Sequence, residues 1–281
     1  MVDFHLIISY NLIRNHNQRS DHMGKRRARW DYKHYLRYLK EGRGQGTGSA
    51  YQPFITIHDL PSRGISTRVS GRTTGRIHHL LSRNEQYYFY LLDFDPDVLD
   101  IREQFPLRLS ETLEIASDLN ISHPRHGNFP VPLTTDFLVT RHDGLHARTV
   151  KPSSELSNPR TIDKFSIEYA YWCDKGIDWK IVTEKQINKV RARNLRWLYS
   201  GQTASELIPD PILREEVLLH MINLFEEMEF SFTHILEIIE GAFPIPCGSG
   251  IALLKELILT NRCSVDLDRP IDFMNPIKKE V

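Results

Sequence analysis

Several features that would place a chain in a familiar class are scarce here. The sequence has only three cysteines, an odd number at positions too far apart for a metal-binding pair: Cys173, Cys247 and Cys263. Such cysteines do not indicate a disulfide framework, and reduced structural thiols in the cytoplasm are expected. The apolar stretch from Phe4 to Ile13 lacks the basic flank and cleavage site of a secretory signal and is too short to cross a bilayer. The sequence thus predicts no membrane role.

A nucleotide-binding loop is also missing. The glycine-rich stretch from Gly42 to Gly48 lacks a terminal Gly-Lys-Ser or Gly-Lys-Thr and does not follow a clear strand, so a phosphate loop is not expected. A flexible linker, or backbone amides close to DNA phosphate, suits it better. What remains is the composition of a soluble globular protein: 281 residues, 40% hydrophobic and 26% charged, enough for one large or two moderate domains.

The formal net charge is zero, but the charges are segregated along the chain. Between Arg14 and Arg76 there are 14 Lys or Arg against 4 Asp or Glu, whereas residues 201–281 contain 6 basic and 14 acidic residues. The basic region from Arg14 to Arg76 would suit binding to a polyanion such as DNA. The alternative is that it is an ordinary solvated basic loop. Met23 begins a basic run that resembles a chain start, so residues 1–22 are hypothesised to be an upstream extension. The residues expected to contact DNA are Lys25, Arg26, Arg27, Arg43, Arg63, Arg68, Arg72 and Arg76.

The hydrophobic pattern outlines a mixed α/β region followed by a helical one. Predicted helices cover residues 24–41, 81–93, 161–175, 212–229, 233–240 and 248–259, and predicted strands cover 99–105, 132–139, 145–151, 179–182 and 263–267. Thr183, with Gln186 three residues later, is expected to cap a further helix. In the helix at 161–175, the residues spaced for one buried face are Phe165, Tyr169 and Trp172.

Three short stretches carry the residue types of a metal-dependent nuclease. They are Ser82-Arg83-Asn84-Glu85 at a helix start, Thr134-Thr135-Asp136-Phe137-Leu138-Val139 on a strand, and Thr149-Val150-Lys151-Pro152 on the next strand. Phosphodiester cleavage needs a divalent cation to neutralise the phosphate and acidify water, and Mg²⁺ is typically held by one or two carboxylates. Glu85 and Asp136 would suffice as its protein anchor. Lys151 would orient the water or stabilise the transition state.

The Asp143-Gly144 pair between the two strands is a strong hairpin signal, which lets the carboxylate and the amine face the same side. Other interpretations stay open. Ser82 and Glu85 also match a capping box, in which the glutamate only satisfies a backbone donor. Asp136 or Lys151, taken alone, is more typical of a solvated strand residue than of a catalytic one.

Other side chains near the proposed site compete for roles. Asp100 and Glu103, on the strand at 99–105, are rival ligands if Glu85 is only structural. His78 and His79 precede the active helix, where either could approach the phosphate or simply pack or cap. Thr149, His79 and Glu103 are therefore kept as candidates for supporting roles.

Five blocks between about residues 37 and 200 carry a family resemblance. They are Leu39-Lys40-Glu41-Gly42-Arg43-Gly44-Gln45-Gly46, Gly75-Arg76-Ile77-His78-His79-Leu80-Leu81-Ser82, Leu99-Asp100-Ile101-Arg102-Glu103-Gln104-Phe105-Pro106-Leu107, Thr135-Asp136-Phe137-Leu138-Val139 and Val150-Lys151-Pro152. Together they resemble the TnsA-type transposon endonucleases, which resemble restriction enzymes of the PD-(D/E)XK superfamily. The resemblance implies an α/β, restriction-endonuclease-like mixed sheet core flanked by helices, with a small, mostly helical, winged-helix-like C-terminal domain. The expected division is a basic arm and linker (1–50), a nuclease domain (51–200) and an interaction domain (201–281).

The resemblance also implies roles for individual residues. Glu85 and Asp136 would be metal ligands, the Val150 carbonyl would help to hold the metal, and Lys151 would be the catalytic lysine. Thr149 departs from the family pattern, which has Gln at this position, while the wider superfamily often has an acid. A neutral hydroxyl is a poorer cation ligand than a carboxylate, so the number of metal ions stays open. The expected cofactor is Mg²⁺, with Mn²⁺ able to substitute.

The implied function is hydrolysis of the 5′ strand at transposon ends in double-stranded DNA, in the bacterial cytoplasm at the nucleoid. A partner transposase of the TnsB type would cut and join the 3′ ends. An ATP-dependent regulator of the TnsC type would bind the acidic C-terminal domain. Because no base-reading motif is identifiable, end recognition is expected to belong to the transposase. Two alternatives stay open: a repair or restriction nuclease of the same fold, and a catalytically inactive assembly protein in which Thr149 marks a decayed site.

Overall fold

The computed structural model of the chain describes residues 31–59, 66–227 and 230–274. The chain divides into two compact units, Met1–Ile187 and Asn188–Val281. The boundary thus precedes the change in charge that suggested a division after residue 200. The reason is long-range bonding within the second unit, where the Asn194 amide donates to the carbonyl groups of Leu267 and Arg269 at 2.8 and 2.6 Å.

The first unit mixes helices and strands. Its helices are α1 (Tyr32–Lys40), α2 (Arg83–Asp93), α3 (Leu109–Asp118) and α4 (Pro159–Cys173). Its strands are β1 (Thr67–Ser70), β2 (Ile77–Leu80), β3 (Val98–Pro106), β4 (Arg125–His126), β5 (Phe129–Pro130), β6 (Thr134–Arg141), β7 (Gly144–Val150) and β8 (Asp178–Val182). The helix predicted at 24–41 is described from Tyr32, where Asp31 caps it by accepting from the His34 N–H at 2.8 Å. Residues 24–30 lie outside the described part of the chain.

The strands β3, β6, β7 and β8 form one mixed sheet in that order. β6 pairs antiparallel with both β3 and β7, whereas β7 pairs parallel with β8. The tight turn predicted between β6 and β7 is confirmed: Arg141 pairs with Gly144, which adopts a φ of 129° that glycine tolerates. Asp136 lies near the start of β6 and Lys151 follows the end of β7, so both are remote from the turn and close to each other.

The main core lies between this sheet and α4. Phe165 and Trp172 of α4 are buried against sheet residues that include Leu138 and Trp179. The Phe165 and Trp179 rings have centroids 5.9 Å apart. Burying each such side chain contributes about 1.5–3 kcal/mol, so this layer fixes α4 on the strands that carry the catalytic candidates. The apolar face predicted for this helix is confirmed.

The glycine-rich stretch after α1 is a packed turn and not a flexible linker. The Gly44 N–H donates to the Gln52 carbonyl at 2.6 Å, and the Gln52 N–H donates to the Gln45 carbonyl at 3.1 Å. Gly44 has a φ of +76°, and a Cβ atom there would lie 2.2 Å from Pro106 Cγ. Only glycine meets both conditions, so this turn holds the end of α1 against the end of β3.

The second unit is mostly helical, as predicted. Its helices are α5 (Lys189–Leu198), α6 (Ala204–Leu207), α7 (Pro211–Glu227), α8 (Phe232–Ala242) and α9 (Ser249–Leu259). The prediction that Thr183 caps a helix is wrong, because α5 begins after Asn188 and the Thr183 N–H instead donates to Gln186 in a local turn. Residues 263–267 form an irregular segment ending at the buried Leu267, not the predicted strand. Among the helices in the described part of the chain, none has the length and apolar character of a membrane span.

Candidate active site

Glu85, Asp136 and Lys151 come together from different elements of the first unit. Glu85 lies in the first turn of α2, Asp136 on β6, and Lys151 directly after β7. Lys151 Nζ is 3.5 Å from Asp136 Oδ2. The charges of Asp136 and Lys151 also both act on the carboxyl group of Glu85. The three side chains of the nuclease hypothesis therefore share one site.

The start of α2 fixes Glu85. Ser82 is the N-cap, and its side chain accepts from the Glu85 N–H at 3.2 Å. A reciprocal capping box would need the Glu85 carboxylate to accept from the Ser82 N–H. It accepts instead from the Leu81 N–H at 2.9 Å. The glutamate is therefore held near the helix start by a backbone donor outside the capping-box pair, and only 5% of it is exposed.

Asp136 is held by one backbone donor and one side-chain donor. The Val150 N–H donates to Oδ2 at 2.8 Å, and Gln104 Nε2 donates to Oδ1 at 3.2 Å. The antiparallel ladder between β6 and β7 ends where Phe137 pairs with Arg148. Just beyond that pair, the Asp136 carboxylate accepts the hydrogen bond from the Val150 N–H at the end of β7. Asp136 is thus a buried, oriented group and not a solvated strand carboxylate.

The three charges influence one another. Burial, and then the negative charge of Asp136, raise the pKa of the Glu85 carboxyl to about 7, against the opposing effect of Lys151. The negative charge of Asp136 raises the pKa of the Lys151 ammonium, outweighing burial, and Glu85 adds to this effect. Lys151 is therefore charged at neutral pH, while Glu85 lies near the point of protonation. Two close carboxylates of this kind form a setting that a divalent cation stabilises.

Glu168 of α4 is a third buried carboxylate, and its charge acts on Lys151. The sequence analysis did not identify it. Its Oε1 accepts from the hydroxyl groups of Thr135 at 2.6 Å and Thr149 at 2.5 Å. Those hydroxyls accept in turn from the indole N–H groups of Trp172 at 2.7 Å and Trp179 at 3.1 Å. Burial raises the pKa of Glu168 to about 7, opposed by the two threonine hydrogen bonds.

A signal for Glu168 is present in the sequence. It lies three residues after Phe165 and four before Trp172, on the stripe of α4 that faces the core, where an acid is rare unless it is paired. The same contacts give a structural role to Thr149, the residue that differs from the Gln expected from the family resemblance. Its hydroxyl donates to Glu168 and accepts from Trp179, so it supports the buried carboxylate.

Glu103, a rival ligand candidate, is instead the centre of a buried ion-pair cluster. Arg76 donates to both of its oxygens, at 2.9 and 2.5 Å, His78 Nδ1 lies 2.8 Å away, and the His79 N–H donates at 3.0 Å. Burial alone would raise the pKa of Glu103, but hydrogen bonds from Arg76 and His78 lower it to about 2. The other rival, Asp100, forms an ion pair with an arginine of its own strand. These contacts give both acids structural partners.

The residues proposed to contact DNA differ in their surroundings. Four of them lie outside the described residues: Lys25, Arg26, Arg27 and Arg63. Arg76 belongs to the cluster just described, and Arg43 donates to Asp59 at 2.7 Å. Arg68 on β1 and Arg72 in the turn between β1 and β2 are exposed. Strands β1 and β2 pair antiparallel as a two-stranded ribbon. Within the described residues, the proposed DNA contacts with exposed side chains, Arg68 and Arg72, therefore both lie on this ribbon.

The donor set fits a hard divalent cation. Glu85 and Asp136 offer carboxylate oxygens in the number that Mg²⁺ typically takes from a protein, with water and substrate oxygens completing its shell. Within the described residues, no group of three or more His, Cys, Asp or Glu side chains forms a metal site, so the arrangement depends on these two acids. The Val150 N–H bond places the Thr149–Val150 peptide beside the Asp136 carboxylate, whereas the Val150 carbonyl belongs to the next peptide. The role of the Val150 carbonyl stays a prediction.

Comparisons with known proteins cover both units. Residues 95–184 match the family model described as TnsA-like endonuclease N terminal, and residues 186–267 match that of the TnsA endonuclease C terminal. The Transposon Tn7 transposition protein TnsA of Escherichia coli is 37% identical over 238 residues, which cover 84% of this chain and 86% of that protein. Asp136, Lys151 and Glu168 fall within the first matched range, whereas Glu85 precedes it.

Proposed function

The chain belongs to the TnsA family of transposon endonucleases, and we propose that it is a Mg²⁺-dependent enzyme that hydrolyses the 5′ strand at transposon ends during cut-and-paste transposition. The observation that carries this proposal is the convergence of the buried carboxylates Glu85 and Asp136 with the half-buried Lys151 in one site. Two carboxylates and one amine are the groups that metal-assisted phosphodiester hydrolysis requires.

Each residue has a distinct task in this proposal. Glu85 and Asp136 would hold the cation, which when bound neutralises the phosphate and acidifies the attacking water. The Val150 N–H bond keeps Asp136 oriented, and the Leu81 N–H bond does the same for Glu85. Lys151, kept protonated by Asp136, would donate to the attacking water or to a phosphate oxygen.

Duplex DNA is the proposed substrate, and the ribbon formed by β1 and β2 is its proposed backbone contact. Arg68 and Arg72 are exposed there, and the carboxylate of Asp93 accepts from the N–H groups of Arg72 and Thr73 at 2.9 and 3.0 Å, which anchors the turn. Arginines on such a strand and its anchored turn suit phosphate contacts that set position and carry no sequence information. Recognition of the transposon ends would then fall to a transposase of the TnsB type.

The second unit is proposed to bind an ATP-dependent regulator of the TnsC type. Residues 188–200 of this unit carry 4 basic residues and no acidic ones, whereas residues 201–281 carry 6 basic and 14 acidic residues, so it is this later, acidic part that favours a basic partner surface over DNA. On α7, Ile212 is 79% exposed and Leu219 is 51% exposed, and residues seven apart lie on one side of a helix. Apolar side chains beside exposed acids, such as Glu216, suit a protein partner.

The test is a nicking assay on a duplex that carries one transposon end, with the two strands labelled separately. The wild-type protein, Asp136→Ala and Asp143→Ala are compared with the transposase and regulator added singly and together, in Mg²⁺, in Mn²⁺ and in EDTA. Asp143 is the matched control because it is an aspartate of the same hairpin with a 73% exposed side chain. We expect cleavage of the 5′ strand by the wild type and Asp143→Ala only with metal and both partners, and background cleavage by Asp136→Ala.

Other outcomes would assign the protein differently. Full cleavage by Asp136→Ala in Mg²⁺ would remove Asp136 from the mechanism. Efficient cutting of plain duplex without any partner would favour a repair or restriction nuclease. Absence of cleavage in either metal, with partner binding retained, would favour an assembly protein.

A further inference from the structure

Gln104, near the end of β3, has an unusual backbone. Its φ is +48°, in the left-handed region that non-glycine residues rarely adopt. Among the described residues, the others that share a positive φ without being glycine are Asn120 and Asn261, and asparagine tolerates this region. Gln104 is also only 3% exposed. Strain of this kind persists where the surroundings fix it, and it concentrates at functional sites.

The sheet register places Gln104 beside a proposed metal ligand. Phe105 pairs with Thr135 on β6, so Gln104 and Asp136 face each other one position along the ladder. The backbone here is also tied to the segment after α1, because the Phe54 N–H donates to the Gln104 carbonyl at 3.3 Å. The backbone around Gln104 is thus held by β6 on one side and by the segment after α1 on the other.

The orientation of the Gln104 amide is fixed by two different neighbours. Its Oε1 accepts from the Thr134 hydroxyl at 3.0 Å, and its Nε2 donates to Asp136 Oδ1 at 3.2 Å. Because the Thr134 hydroxyl donates to the amide oxygen of Gln104, the amide NH₂ group is left to donate to the Asp136 carboxylate. The other oxygen of Asp136 accepts from the Val150 N–H, so the two oxygens have separate donors on opposite strands.

We propose that Gln104 is a positioning residue for Asp136, and that Thr134 orients Gln104 for this purpose. The inference rests on the proposed metal site and extends it to a neutral pair, in which Thr134 contacts Gln104 and Gln104 contacts Asp136. Gln104 acts by fixing the rotation of the Asp136 carboxylate, which decides where its remaining lone pairs point. Partners behind a metal ligand commonly change metal affinity by about 10- to 100-fold when they are lost.

The test measures binding of Mn²⁺ alone to the full-length protein by isothermal titration calorimetry, without DNA or partners. Gln104→Met keeps the length of the side chain and removes the amide. Thr134→Val removes the orienting hydroxyl, and Thr134→Ser retains it. We expect Gln104→Met and Thr134→Val to bind Mn²⁺ about tenfold more weakly than the wild type, and Thr134→Ser to bind as the wild type does. Near-ultraviolet circular dichroism in EDTA reports whether each variant is folded.

The comparison separates positioning from structure. A purely structural role would alter unfolding in EDTA without separating the Mn²⁺ affinities of Thr134→Val and Thr134→Ser. Wild-type affinity in a folded Gln104→Met overturns the inference. If Gln104→Met does not fold, equal affinities in the two Thr134 variants overturn it, and a tenfold difference supports it. A wild-type protein that does not bind Mn²⁺ at all overturns the proposed metal site and this inference together.

Discussion

Replacing Thr135 by valine removes one hydroxyl from the centre of a buried hydrogen-bond chain. Thr135 is fully buried; its hydroxyl donates to Glu168 at 2.6 Å and accepts from Trp172 Nε1 at 2.7 Å. Valine has nearly the same shape as threonine, so the change isolates the hydroxyl. Because both neighbours are buried, water cannot easily replace the lost partner.

Two losses set the size of the effect. A hydrogen bond to a charged acceptor contributes about 1.5–3 kcal/mol, and a buried donor left without a partner costs about 1–3 kcal/mol. We therefore expect Thr135→Val to lower the free energy of unfolding by about 4 kcal/mol. Thr149→Val should cost less, because Trp179 also hydrogen-bonds to Glu168 and thus keeps an acceptor.

Urea unfolding at pH 8, followed by far-ultraviolet circular dichroism, measures both effects. The controls are Thr135→Ser and Thr149→Ser, which keep the hydroxyl and lose one methyl group, worth about 1 kcal/mol. The expected order of destabilisation is Thr135→Val, then Thr149→Val, then the serine variants. If each valine variant is as stable as its serine control, the hydroxyl chain does not support Glu168 in the way described.

Two further predictions concern buried charge. Burial and Asp136 raise the pKa of Glu85 to about 7, above the value near 4.5 of the unfolded chain, so wild-type stability in EDTA should fall as the pH rises from about 5 to 8. Glu85→Gln lacks this carboxyl, so its stability relative to the wild type should rise over the same window in urea titrations; a constant difference would contradict the assignment. Arg76→Ala leaves the carboxylate of Glu103 buried without its bidentate partner and should cost about 3–5 kcal/mol in thermal unfolding. Adding Glu103→Gln should recover part of that loss, and strict additivity would show that the two groups do not interact.

The parts of the site that could be predicted are those encoded locally. Ser82 and Glu85, three residues apart, gave the start of α2, and the Asp143-Gly144 turn gave the hairpin that brings Asp136 and Lys151 together. Each signal involves only neighbours in sequence and a fixed backbone geometry. A carboxylate and an amine at the remote end of such a hairpin must be close in space, so the pairing of Asp136 with Lys151 followed.

The parts that could not be predicted depend on distant partners. Glu103 was a rival ligand until the structure showed its ion pair with Arg76, 27 residues earlier in the chain. The segment after Arg262 had an alternation typical of a strand, but no neighbouring strand pairs with it among the described residues. The hydrogen-bond partners of Glu168, Thr135 and Thr149, lie 33 and 19 residues away in the chain, so no local pattern links them to this acid on the apolar stripe of α4. A single acid on such a stripe is the signal to look for in related chains.

The charges of the site connect its stability to its proposed chemistry. Glu85, Asp136 and Glu168 are buried near the ammonium of Lys151, and burial, with a smaller contribution from the negative charge of Asp136, raises the pKa values of Glu85 and Glu168. Protons and a divalent cation relieve the same excess of negative charge, so they should compete for the site. The electrostatic cost that lowers the stability of the folded chain above neutral pH would then contribute directly to its affinity for the cation.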